Sequence, residues 1–112
     1  MNIDNLTIGQ ARELAALIGG DNDSGSHPWV IGSNIFIRTV TMALTGKIVA
    51  VHAQEIVLAD AAWIADTGRF AQAVATGEFS EVEPFPDGQQ VIVGRAAIID
   101  AVKIPSLPKA QK

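Results

Sequence analysis

From residue 34 onward the side chains divide between two faces with a period of two, which is typical of short β-strands. Residues 34–44 predict a first strand, Thr45-Gly46 a tight turn, and residues 47–52 a second strand. A second turn at 53–55 and a third strand at 56–64 follow, so the pattern predicts an antiparallel β-meander. In the first strand, the two faces carry Ile35, Ile37, Thr39 and Thr41, and Phe36, Arg38, Val40 and Met42.

Two segments have a helical period instead. Residues 7–20 carry an apolar stripe that includes Leu14 and Ile18, and Gly19-Gly20 ends it, so an amphipathic N-terminal helix is predicted. Residues 69–77 predict a short helix that ends at Gly77. Asp66 or Thr67 is expected to cap its first turn.

The last third of the chain is predicted to close the fold with strands. An acidic loop carries a short strand at 80–83, and further strands are expected at 89–94 and 96–104. The chain then divides into an N-terminal helix (1–20), a flexible linker (21–28), a β-rich body (29–104) and an extended tail (105–112). We expect a mainly β, α+β fold: a small SH3-like barrel or a strongly curved antiparallel sheet, with the two helices outside.

Composition adds an expectation of self-association. The 112 residues are 48% hydrophobic and 18% charged, with a mean hydropathy of +0.27. Because large apolar patches are seldom left exposed, part of this surface is expected to lie in contacts of a homo-oligomer.

Several partner classes are disfavoured by charge and residue type. A net charge of −4 without a basic stripe argues against long nucleic acid. The absence of cysteine and the presence of only His27 and His52 leave no expected metal site or cofactor. No apolar run reaches membrane length, and the first residues lack the features of a signal peptide, so an intracellular, soluble protein is expected.

The tripeptide Asp66-Thr67-Gly68 matches the catalytic motif of aspartic proteases, but its surroundings do not suit that chemistry. Arg69 stands where a small residue is expected, and a cation there opposes the shared proton of a carboxylate dyad. Residues 69–93 have no hairpin pattern for a flap. We therefore interpret the tripeptide as a turn, and no enzymatic activity is expected.

Candidate ligand residues are few. Arg38 lies on an otherwise apolar strand face and needs either an internal partner, for which Asp60, Asp66 and Asp100 are candidates, or an anionic ligand. Trp63 is either a core or subunit contact or a stacking platform. Gly94-Arg95 is either a plain bend or an oxyanion site. The full candidate set is Arg38, Thr39, Trp63, Arg69, Phe70 and Arg95.

Residues 34–102 contain IRT at 37–39, TG at 45–46, VL-DA at 57–61, DTGRF at 66–70 and AIIDAV at 97–102. In this pattern the chain resembles a family of small accessory proteins encoded by phages and prophages. The resemblance implies expression in the host cytoplasm. It also implies, by analogy with phage proteins of this size, a sponge that sequesters a nucleotide signal of bacterial defence without chemistry.

The leading hypothesis is therefore a homo-oligomeric, non-enzymatic binder of a small anionic nucleotide, of the cyclic oligonucleotide or cyclic ADP-ribose type. Arg38, Arg69 and Arg95 would contact phosphates, and Trp63 or Phe70 would stack on a base. The alternative is a structural or assembly protein of the virion without a small ligand. A third hypothesis is an inhibitor that offers the acidic loop 78–87 to a basic groove of a host protein.

Overall fold

The computed structural model describes residues 27–112. The predicted helix over 1–20 and most of the predicted linker over 21–28 lie outside the described residues. The described part contains six strands, one helix and one 3₁₀ turn. In chain order these are β1 (Asn34–Thr39), β2 (Ala43–Val51), β3 (Glu55–Asp66), α1 (Phe70–Thr76), β4 (Glu81–Pro84), β5 (Val91–Gly94), the 3₁₀ turn (Arg95–Ala97) and β6 (Ile98–Lys103).

All six strands belong to one antiparallel sheet, in which five follow the order β4-β3-β2-β1-β6 and β5 pairs with β3 outside that path. On the edge that faces away from β2, the long strand β3 has two different neighbours. Its first half pairs with β5 from Glu55 to Leu58, and its second half pairs with β4 from Ala62 to Asp66. The prediction of a mainly β, α+β fold built on an antiparallel meander is confirmed, and the sheet is open rather than closed.

Bulges bend the sheet where β3 changes its neighbour. Asp60, between the two halves of β3, has a positive φ of 51°, and the β2–β3 register shifts between Thr45 and Lys47 and again between Ile48 and Ala50. Each bulge adds an unpaired residue and increases the local twist. The first of these shifts lies between the part of β3 that pairs with β5 and the part that pairs with β4.

The turn between β1 and β2 lies at Val40–Met42, not at the predicted Thr45-Gly46. The Thr39 hydroxyl holds this turn, because it donates to the Met42 carbonyl at 2.9 Å and accepts from the Met42 N–H at 3.1 Å. Val40 and Met42 are therefore turn residues rather than a continuation of the strand face that carries Phe36 and Arg38.

Thr45 and Gly46 lie inside β2, opposite Phe36 and Ile35. The prediction of a turn there is wrong, and the reason is packing between strands. A Cβ atom at Gly46 would lie 2.9 Å from the Cβ of Leu58, so glycine is required for the close approach of β2 and β3.

The sheet buries side chains on both faces. One face carries a first core of Ile35, Ile37, Leu44, Ile48, Ile56, Leu58, Ala61 and Val93. The other face carries a second core, which α1 and the chain after β6 cover, formed by Phe36, Ala62, Ile64, Ala73, Phe79, Val82 and Ile104. Burial on both faces explains why alternate residues of β1 are apolar on each side.

The short helix is confirmed, with a different start. It runs from Phe70 to Thr76 and ends at Gly77, which has the left-handed φ of 83° that glycine tolerates. The expected cap from Asp66 or Thr67 is wrong, because Arg69 holds the N-cap position and no side chain there accepts a hydrogen bond. Asp66 instead accepts from the Gly68 N–H at 3.0 Å and closes a turn before the helix.

The residues after β6 have no regular secondary structure but are packed on the domain. Ile104 is buried, and Leu107 contacts the second core. At the last position, Lys112 exchanges two backbone hydrogen bonds with Val82 of β4, at 3.0 and 3.2 Å. The predicted extended tail is therefore docked along one end of the sheet.

Candidate functional site

Arg38 is paired internally with Asp100. The guanidinium Nε donates to Asp100 Oδ1 at 2.8 Å and Nη2 donates to Oδ2 at 2.5 Å, which makes the pair bidentate. The same guanidinium lies 5.1 Å from the ring centre of Phe70, in a cation–π contact. Of the three aspartates considered, Asp100 is the partner because β1 and β6 place it directly opposite Arg38.

The ion pair shifts both groups toward their charged forms. The hydrogen bond from Arg38 lowers the pKa of Asp100 below its usual value of 3.8, and the same bond raises the pKa of Arg38. Both side chains are 48% exposed, so solvent screens the attraction and the pair is an orienting contact for Arg38 and Phe70 rather than a main source of stability.

Asp100→Asn is expected to lower stability only where Asp100 is ionised. A depressed folded pKa contributes stability above the unfolded value of 3.8, and that contribution is lost as pH falls through the folded value. Melting temperatures of the native protein and Asp100→Asn, measured between about pH 6 and pH 2, should therefore converge at the acid end. Asp87→Asn, in an exposed loop, is the control, and its melting temperature should match that of the native protein throughout this range. A constant gap for Asp100→Asn across this range would contradict the assignment.

An open polar pocket of about 510 Å³ lies between α1 and the chain that leads to β4. Its walls carry two cations, Arg69 and Lys112, and one carboxylate, Glu78. The remaining lining residues are Thr67, Gly68, Gln72, Ala73, Thr76, Phe79 and Ser80. Within residues 27–112, Arg69 has no carboxylate within the 4.0 Å of an ion pair. We call this space the Arg69 cavity.

Local backbone geometry builds the walls of the Arg69 cavity. Gly68 has a φ of 77°, and the Ser80 N–H donates to the Asp66 carbonyl at 3.0 Å, which brings the two ends of the α1 segment together. A Cβ at Gly68 would meet the Ser80 hydroxyl, so glycine leaves room for that side chain. Phe79 is buried beneath and closes the floor.

Trp63 lies on the opposite face of the sheet from Arg38. Trp63 pairs with Leu44, and Leu44 pairs with Ile37, so these three side chains share a face, whereas Arg38 follows Ile37 and points to the other. The indole is 44% exposed and borders an open groove of about 460 Å³. The groove is lined by Met42, Trp63, Glu83, Pro84, Phe85 and Pro86, and we call it the Trp63 groove.

Arg95 and Thr39 hold turns. Arg95 Nη1 donates to the His52 carbonyl at 2.6 Å, and the Arg95 N–H donates to the Gln54 carbonyl at 2.8 Å, which ties the β2–β3 turn to the 3₁₀ turn. The bend predicted at Gly94-Arg95 is present as the start of that 3₁₀ turn. The Thr39 hydroxyl is occupied in the β1–β2 turn described above.

One chain therefore brings together only part of the candidate set. Arg38 and Phe70 are in contact and Arg69 precedes Phe70, whereas Trp63 lies on the other face of the sheet and Arg95 holds a separate turn. Sequence analysis missed Lys112, Ser80 and Gln72 as lining residues of the Arg69 cavity. Of these, only Gln72 was predictable from the sequence, since it lies three positions after Arg69 and residues three apart share one helix face. Lys112 enters the site through the docked tail, which no local pattern indicates.

Comparison with known proteins finds no family model that matches the chain, and neither a curated protein nor a solved structure matches it significantly. Within residues 27–112, no three His, Cys, Asp or Glu side chains are grouped to hold a metal ion. No helix in this described range has the length and apolar character needed to cross a membrane.

Proposed function

We propose that the protein is a non-enzymatic phage protein that binds and sequesters a small anionic nucleotide signal of bacterial antiphage defence. The observation that carries the proposal is the Arg69 cavity, which Arg69 and Lys112 both line and in which Arg69 has no carboxylate partner among residues 27–112. The phage origin, the host cytoplasm and the sponge activity rest on the resemblance of residues 34–102 to phage accessory proteins.

The chemistry of the cavity suits a phosphate-bearing ligand. A guanidinium presents planar, paired N–H donors that match phosphate oxygens, and an ammonium adds a second positive charge. The hydroxyl of Ser80 and the amide of Gln72 offer neutral hydrogen bonds for sugar or base atoms. At about 510 Å³ the cavity falls within the range of about 300–1,000 Å³ typical of small-molecule sites.

Arg95 enters the proposal through a second subunit. In the proposed homo-oligomer, Arg95 of one chain would complete the site of another, since a single chain does not bring it to the Arg69 cavity, and Phe70 beside Arg69 would stack on the base. Arg38 would keep Phe70 in place beside Arg69 through its contact with that ring. We also infer that the sheet is an opened arrangement of the SH3 type. The supporting feature is that β6 returns beside β1 after a 3₁₀ turn.

A virion structural protein without a small ligand is the second candidate function. It is favoured by the number of large apolar side chains at the surface, which are Val30, Ile31, Val40, Met42, Trp63, Phe70, Ile92, Ile99 and Val102. Such side chains suit contacts between subunits.

Thermal shift and calorimetry against cyclic di- and trinucleotides and cyclic ADP-ribose isomers test the proposal. A ligand that binds the folded state should raise the melting temperature, and chromatography should return it unaltered. Arg69→Gln should weaken binding about 10- to 100-fold, the effect of losing one charge-assisted contact, without changing the oligomeric state.

Lys47→Gln is the matched control, because it removes one exposed positive charge outside the cavity, and it should bind as the native protein does. No shift with any nucleotide, together with recovery of the protein from purified virions, would favour the structural function. Equal loss of binding in both variants would show that only overall charge matters.

A further inference from the structure

The Trp63 groove combines an exposed indole with one carboxylate in an otherwise apolar lining. Trp63 and Glu83 are direct partners in the antiparallel β3–β4 pairing, so their side chains stand next to each other on one face. Met42 is 46% exposed, and the half-buried Phe85 packs against the first core. Both residues give the groove apolar walls, and the packing of Phe85 on the core fixes one of them. None of its lining residues belongs to the Arg69 cavity.

Glu83 lacks a cationic partner in the described part of the chain. Within residues 27–112 no lysine or arginine lies within ion-pair distance of its carboxylate, and none lines the groove. A carboxylate beside an indole face is a suitable environment for a cation, because the ring attracts the charge while the carboxylate accepts its hydrogen bonds. The groove is therefore complementary to an apolar ligand that carries one positive charge.

A second copy related by a two-fold axis fits this groove poorly. Such a contact is isologous, so the same surface would face itself. Since the groove offers no cation, it would bring the two Glu83 carboxylates together in an apolar contact without compensation. The charge in the groove therefore favours an occupant that carries a cation over a symmetric contact of two such grooves.

We propose that the Trp63 groove binds a peptide segment of a protein partner in which an arginine or lysine stands between apolar residues. The cation lies over the Trp63 ring and pairs with Glu83, and the flanking apolar side chains contact Met42 and Phe85. The two prolines of the groove, Pro84 and Pro86, restrict the backbone of this wall, so binding orders few protein residues.

Tryptophan fluorescence gives a direct test, because the chain has only two tryptophans. In the Trp29→Phe variant of the full chain, emission reports on Trp63 alone. The probes are blocked octapeptides with one central arginine among leucines and prolines, and matched peptides with glutamine or glutamate at that position. The arginine peptide should shift Trp63 emission saturably and bind about tenfold more tightly than the glutamine peptide, with the glutamate peptide weakest.

Glu83→Gln should abolish the preference for arginine over glutamine while leaving the weak binding of the glutamine peptide. Glu81→Gln is the control, since it makes the same charge change on the same strand outside the groove, and it should keep the preference. Absence of a saturable shift with the arginine peptide, or an unchanged preference in Glu83→Gln, would overturn the proposal. So would a Trp63 shift that follows protein concentration alone, with a matching rise in mass, because a second copy would then fill the groove.

Discussion

Replacing Phe79 by alanine is expected to lower the free energy of unfolding by about 3–5 kcal/mol, the cost of emptying a large aromatic site in a core. Phe79 is 2% exposed, and its ring stacks on Phe36 with the centroids 5.2 Å apart. It also forms the floor of the Arg69 cavity, so the loss would reach the proposed site. Since small domains are stable by only about 5–15 kcal/mol, urea denaturation should show a large decrease in the midpoint.

Phe70→Ala is the matched control for this prediction. Phe70 meets the same Phe36 ring, edge to face with centroids 6.2 Å apart, but it is 45% exposed. Its removal should cost about 1–2 kcal/mol, because Phe70 buries only about half of its area, whereas Phe79 buries nearly all of it. If Phe79→Ala does not fold, Phe79→Leu should fold with a loss of about 1–2 kcal/mol. Equal losses for the two alanine variants would contradict the assignment of Phe79 to the core.

Regular patterns made much of the fold predictable. The period of two locates β3, β4, β5 and β6 to within two residues at each end, and Gly77 correctly marks the end of α1. These features depend on neighbouring residues alone, since alternation follows from the strand itself and a left-handed cap favours glycine.

The first turn was misplaced because glycine has two structural roles. In sequence, Thr45-Gly46 has the composition of a tight turn, but Gly46 is needed for contact with Leu58, twelve positions further on. No local pattern distinguishes a glycine that turns the chain from one that admits a neighbouring strand. The true turn at Val40–Met42 contains no glycine and is held by the Thr39 hydroxyl, so its composition resembles that of a strand.

The candidate site was predictable only where chain neighbours determine it. Arg69 followed from the failure of the protease interpretation of Asp66, and it does line a polar cavity. The partner of Arg38 stayed open among three aspartates, because only the register between β1 and β6 selects Asp100. Lys112 lies more than forty residues from Arg69 along the chain and reaches the cavity through pairing of the tail with Val82. Such contacts are set by tertiary packing, which a single sequence does not encode in any short pattern.

Docking of the tail makes Gly77 a sensitive position. Gly77→Ala is expected to cost about 2–4 kcal/mol, because the side chain would strain a left-handed backbone and also overlap its neighbour. A Cβ there would meet the Ser106 backbone carbonyl and would lie 2.8 Å from the Ser106 hydroxyl. The carbonyl cannot rotate away as a flexible side chain would, so either α1 or the tail must move.

Gly88→Ala separates these two causes. Gly88 has almost the same φ, 84° against 83°, but a Cβ there has no heavy atom within 4 Å. Gly88→Ala should therefore lower the free energy of unfolding by only about 1–2 kcal/mol, the cost of the left-handed backbone. The additional loss in Gly77→Ala then measures displacement of the tail. Trypsin should accordingly cleave after Lys109 faster in Gly77→Ala than in Gly88→Ala, since cleavage requires the tail to leave the sheet. If the two variants lose the same stability and are cleaved at the same rate, the tail does not pack against Gly77, and Lys112 has no fixed place in the Arg69 cavity.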